Sequence, residues 1–184
     1  AARTLEDKAK EIFGKSYQDV MADSNRKKDI GIEILRDAED YEPSYIPLKL
    51  TKGQATYIYM LWRMRDGYSK LATQGFTEEI MQRIEEYIGP DYIQWADWMQ
   101  MEYLPMMREK YNARYREIYD TNMAAIDNYV PIRIHGQAIR KEVDLTDATA
   151  SMPGMQKKNG ALIQRTVNVN PIDISNNIFE LIGQ

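Results

Sequence analysis

The chain has 184 residues, enough for one domain or one domain with extensions, and a chain of this size buries roughly 70% of the surface its unfolded form exposes. It contains no cysteine and one histidine, His135, which excludes thiol nucleophiles, disulfides, cysteine-type zinc sites and any centre that needs two imidazoles. A formal net charge of -4 argues against the chain as a whole as an electrostatic binder of nucleic acid or membrane and favours a protein partner.

No apolar run approaches the roughly 18 residues of a membrane span, and Ala1-Ala2-Arg3-Thr4-Leu5-Glu6 lacks the apolar stretch of a signal peptide, so the chain reads as cytoplasmic. Without an initiating Met, and with a helix barely begun in residues 175–182, it also reads as a fragment of a larger protein. Thr4 is placed to cap a short helix carrying Leu5, Ile12 and Phe13 that Gly14 closes, and Ser16 to cap the next. Tyr17, Val20 and Met21, then Ile30, Ile34 and Leu35, keep helical spacing across the polar stretch Ser24-Asn25-Arg26-Lys27-Lys28-Asp29, where a break is expected. Residues 1–41 are thus an expected N-terminal helical hairpin, and the two prolines of Glu42-Pro43-Ser44-Tyr45-Ile46-Pro47 make 42–50 an extended connector.

The helical core, residues 51–134, opens on the capping box Thr51-Lys52-Gly53-Gln54, which predicts a helix from Lys52 to about Asp66 and an exit at Asp66-Gly67. Phe76-Thr77-Glu78-Glu79 is a second start signal, with both glutamates at the positive end of the helix. Ile80, Ile84 and Ile88 form its stripe until Gly89-Pro90 ends it, and Asp91 opens a helix carrying Tyr92, Trp95, Trp98 and Met99. Pro105 predicts a kink or break near residues 102–104, followed by a long helix with Met107, Tyr111, Tyr115, Ile118 and Tyr119. Residues 135–165 form a long loop region, and 166–184 a short strand and the start of a helix; alternation at Val167 and Val169 permits pairing of 166–170 with 130–134. The fold expected is mainly α, an irregular multi-helix bundle with at most one short strand pair.

No constellation in these residues specifies a reaction. Glu78 and Glu79 serve a helix start, Glu85 and Glu86 a wet face, and only Glu102, beside aromatics, has no structural role to explain it. His135 is the sole imidazole base, no Gly-x-Ser-x-Gly elbow accompanies it, and no cofactor or metal set is legible. Arg108, Arg114 and Arg116, interleaved with tyrosines, and Lys157, Lys158 and Arg165 are candidate nucleic-acid contacts, although the tyrosines read first as a seam packed in the core. Trp62, Trp95, Trp98 and Met106 are the candidate partner surface: their helical spacing assigns them to the core first, but indole and thioether groups exceed what a small helical core requires.

Leu48-Lys49-Leu50-Thr51-Lys52-Gly53-Gln54-Ala55 through Tyr57-Ile58-Tyr59-Met60, then Gly75-Phe76-Thr77, Ala96-Asp97-Trp98, Tyr111-Asn112 and Asn128-Tyr129-Val130-Pro131-Ile132, resemble a helical region of very large phage and mobile-element polyvalent proteins. The resemblance covers roughly residues 48–134 and rests on helix starts, core aromatics and a turn. It implies one segment of a long polypeptide that elsewhere carries helicase, methyltransferase or peptidase domains, and it carries over no catalytic residue. The function expected is a non-enzymatic helical scaffold or protein-interaction module, its partners neighbouring domains, another protein or a second copy of itself. The alternatives are a nucleic-acid-binding module and a hydrolase-like domain using Glu102 or His135.

Overall fold

A computed structural model describes residues 2–36, 44–132 and 174–182. As the sequence predicts, it is mainly helical, and the described residues contain one two-stranded antiparallel sheet. Helices α1 (Ala2–Phe13) and α2 (Tyr17–Ser24) meet at Gly14, whose φ of 65° closes α1. Because α1 already runs from Ala2, Thr4 lies within it and caps nothing. Ser16 caps α2 by accepting the Asp19 N–H at 3.1 Å, and Glu6 accepts the Tyr17 N–H at 2.9 Å, so two amides that a helix start leaves unpaired are answered by side chains.

The helical reading of Ile30, Ile34 and Leu35 is overturned. Residues Lys27–Arg36 form strand β1, paired antiparallel with β2 (Ser44–Thr51), so the expected hairpin is helical only as far as Ser24 and the expected connector is largely a strand. Ile30, Ile32 and Ile34 also satisfy a period of two, and the β-branched side chain of Ile32 is buried at the register position opposite Leu48. Gly31, at φ 65°, forms the irregularity where the register shifts between Asp29 and Ile32; its N–H goes to the Asp29 carboxylate at 2.9 Å. Pro47 is tolerated because each strand of a two-stranded sheet has an open edge. The described pair thus lies at 27–36 and 44–51; residues 130–132 are irregular, and the rest of the pairing expected for 130–134 and 166–170 lies outside the described residues.

Thr51 ends β2 and caps α3 (Lys52–Arg63) through the predicted box: its hydroxyl accepts the Gln54 N–H at 3.1 Å and Gln54 Oε1 accepts the Thr51 N–H at 3.0 Å. Thr51→Ala removes the first of these bonds at a residue only 3% exposed, and we expect it to lower the unfolding free energy by about 1 kcal/mol in urea denaturation. An unchanged midpoint would show the cap to be dispensable. Helix α3 stops at Met64, earlier than predicted, and α4 (Arg65–Thr73) begins at once, because Gly67 sits directly against the Leu61 carbonyl.

Thr77 caps α5 (Glu78–Trp98), which Gly89 (φ 78°) interrupts just before Pro90, where the sequence predicts one helix to end and the next to begin. The disturbance expected before Pro105 takes the form of a π-helical turn, Met99–Tyr103, leading into α6 (Leu104–Tyr119). Proline has no N–H to return to the preceding turn, and the wider turn absorbs the mismatch: the Leu104 N–H reaches back to the Met99 carbonyl. The last described helix, α7 (Ile178–Ile182), packs against α2 and α3.

The core is built on α3, whose Ala55, Tyr57, Ile58, Met60 and Leu61 are completely buried, largely against α5. Aromatic rings from four helices fill one end. Trp95 stacks on Phe179 (centroids 5.3 Å, interplanar angle 22°) and on Tyr17 (5.9 Å), and lies 5.8 Å from Phe13 and 5.1 Å from Trp98. Residue Asn128 lies at the C-terminal end of α3. Asn128 and Gln100 satisfy carbonyls at the open end of α3: Gln100 Nε2 donates to Met60 O at 2.9 Å and to Asn128 O at 2.8 Å, and Asn128 Nδ2 donates to Arg63 O at 3.2 Å.

Candidate functional site

Two concave regions are candidates for a site. The first is an apolar groove of about 490 Å³ between the start of α6 and residues 123–131, with Leu181 and Ile182 of α7 at its edge. Leu104, Met107 and Met123 are half-buried in it, and Tyr111, Ile126 and Tyr129 stand exposed at its rim. Beyond the rim, α6 presents Ile118 and Tyr119, 63% and 62% exposed, with Tyr115 only 4.6 Å from Tyr119 by ring centroids. The tyrosine seam expected in the core is therefore largely on the surface. Among the described residues nothing covers the outer side of α6, and the only side chain that this helix buries is Asn112, which joins Asn122 and the Met123 N–H.

Of the four residues expected on a partner surface, Trp95 and Trp98 are interior, because α1, α2 and α7 close over the face of α5 that bears them. Trp62 is half-buried, edge-on to Tyr68 at 4.5 Å, and Met106 is 47% exposed on α6. The exposed apolar side chains at the groove and along the same face of α6 are instead Tyr111, Ile118, Tyr119, Ile126 and Tyr129, whereas Met106, five residues before Tyr111, lies on another face of α6 and does not line the groove. In the sequence Leu104, Met107, Tyr111, Tyr115 and Ile118 fall at three- and four-residue spacing on one face of α6, so they read as core, and no local signal tells that this stripe is left uncovered.

The second region is a cleft of about 950 Å³ at the corner of α2, β1, α3 and α5. Five cations line it, Lys15, Arg26, Lys27, Lys28 and Lys52, against three carboxylates. Asp23 answers Lys15 at 2.6 Å and Arg26 at 3.5 Å; the Lys15 hydrogen bond, then the charges of Lys15 and Arg26, hold its carboxyl below the usual range. Lys52 is half-buried and donates to the carbonyls of Tyr87 and Ile88, the latter at 3.1 Å, with the Tyr87 and Tyr92 rings 4.7 and 5.5 Å away. Burial, and then the charge of Lys28, lower its pKa; burial pushes the Tyr92 phenol up to about 12. None of these cations was singled out from sequence as a site residue.

No protein-family model, no curated protein and no solved structure matches this chain. The site has to be judged on its own chemistry.

Glu102 is exposed on the π-helical turn, outside both concave regions. His135 lies outside the described residues, as do Lys157, Lys158 and Arg165. Of the arginines proposed to meet nucleic acid, Arg108 turns inward to the carbonyls of Met123 (2.5 Å) and Ala124 (3.1 Å), Arg116 holds Asn122 Oδ1, and Arg114 is exposed. At about 100° per residue, these three do not share one face of α6. Among the described residues no group of three His, Cys, Asp or Glu is placed to hold a metal ion, and no helix is long and apolar enough to cross a membrane.

Proposed function

We propose that the chain is a non-enzymatic, mainly helical interaction module of a cytoplasmic protein, and that the α6 groove receives an apolar protein segment flanked by carboxylates. The observation that carries this reading is the run of exposed Tyr111, Ile118, Tyr119, Ile126 and Tyr129 continuous with the groove, since a soluble monomer rarely leaves several large apolar side chains together on one surface. The charge of the flanks follows from α6 itself. It carries Arg108, Lys110, Arg114 and Arg116 against Glu109 and Glu117 in a chain that is acidic overall, so carboxylates bordering an apolar segment would meet a positive helix. The resemblance of residues 48–134 to polyvalent proteins would make the partner a neighbouring domain of the same long polypeptide.

Site-specific photocrosslinking tests the reading. A benzophenone side chain at position 118, introduced in the native host, should give one discrete adduct whose crosslinked peptide is apolar with acidic flanks, and Tyr111→Glu with Ile126→Glu should reduce it about tenfold. A nucleic-acid adduct, a crosslinked peptide that comes from this same 184-residue segment, or yields unaffected by those substitutions would overturn it.

A further inference from the structure

We infer that the cleft between α2, β1, α3 and α5 binds a small phosphate ester, with Lys52, Lys28 and Lys27 holding the phosphate group. The inference is independent of the α6 groove. It begins with charge that the fold leaves unanswered: Asp23 serves Lys15 and Arg26, whereas Lys27, Lys28 and Lys52 have no ion pair among the described residues. The antiparallel register brings them together, placing Lys27 opposite Thr51 and Lys28 opposite Leu50, so that both flank the residue that opens α3. A half-buried ammonium with no carboxylate beside it is costly to keep charged.

Lys52 is instead held in position. Two of its three N–H groups are accounted for by the Tyr87 and Ile88 carbonyls, and the ring faces of Tyr87 and Tyr92 support the cation without neutralising it. The remaining donor and the full positive charge are available to an anion, and Lys28 adds a second charge close enough to disfavour protonation of Lys52 when the cleft is empty. A bound phosphate dianion relieves that repulsion. A volume of about 950 Å³ suits a ligand larger than inorganic phosphate, and Tyr87, Tyr92 and Phe13 give it an aromatic wall. Glu86 and Asp91 also line the cleft, and in a chain of net charge -4 they oppose an extended nucleic-acid strand more than a compact ester.

Isothermal titration of the whole chain with ADP, with sodium pyrophosphate and with a single-stranded DNA 12-mer tests this directly. We expect ADP and pyrophosphate to bind with dissociation constants of about 1 mM or below, weakened about tenfold by Lys52→Gln and by Lys28→Gln. Lys70→Gln, on α4 and outside both concave regions, should leave them unchanged. Lys28 is exposed, so its variant keeps the test valid if Lys52→Gln fails to fold. No heat up to 10 mM of either ligand, wild-type affinity in both lysine variants, or tighter binding of the 12-mer would each overturn the proposal.

Discussion

Trp95→Ala is expected to remove about 3–5 kcal/mol of unfolding free energy, measured by urea denaturation followed by far-UV circular dichroism. The side chain is completely buried and joins four helices: Phe13 from α1, Tyr17 from α2, Trp98 from α5 itself and Phe179 from α7 all lie against its ring. Truncation leaves a cavity walled by flat rings on separate helices, which cannot collapse without breaking their mutual contacts. Trp62→Ala is the comparison, because Trp62 is half-buried and the ring it packs on, Tyr68, is itself 47% exposed. A loss below about 1 kcal/mol for Trp95→Ala would mean that the aromatic end of the core is not what holds these helices together.

Gly53→Ala should be nearly as damaging, by about 1–3 kcal/mol, for a different reason. A Cβ at position 53 would occupy the space of the Asn177 side chain, and Asn177 is fixed from three sides: Nδ2 donates to Ser24 Oγ at 2.9 Å and to Asn25 Oδ1 at 2.8 Å, and Oδ1 accepts the Phe179 N–H at 2.9 Å. The added methyl therefore displaces the residue that ties α7 to α2. A double-mutant cycle isolates the effect. Asn177→Ala trims the atoms in conflict, so Gly53→Ala should cost at least 1 kcal/mol less in that background, and simple additivity would count against the steric account.

What the sequence revealed divides along the range of the interactions involved. Ser16, Thr51 and Thr77 cap helices as expected because a cap closes within three residues, and Gly89-Pro90 interrupts α5 because both residues restrict their own backbone. Pro105 marked the position of a disturbance but not its form, because a proline inside a helical pattern is met by a kink, a break or a widened turn, and here it is the last. Strand β1 was misread because isoleucines at 30, 32 and 34 fit a period of two while 30, 34 and 35 fit a helix, and only the burial of Ile32 opposite Leu48 decides. Trp95 and Trp98 were legible as core, whereas Tyr111 and Tyr119 were not legible as surface, since their exposure follows from the absence of any described element outside α6. The cationic cleft was invisible for a simpler reason. Lys15, Lys28 and Lys52 lie far apart in the chain, and each reads as an ordinary solvated charge until the strand pairing unites them.

The placement of α7 has a consequence for biosynthesis. The Tyr17 hydroxyl donates to the Phe179 carbonyl across 162 residues of chain, and the Phe179 ring fills the space beside Trp95. While the ribosome is still translating the stretch between them, α1, α2 and α5 have no lid for their aromatic faces, and the nascent chain carries a wet, adhesive surface. Closure at such sequence separation is slow, so the polypeptide should depend on chaperone shielding until Phe179 leaves the exit tunnel.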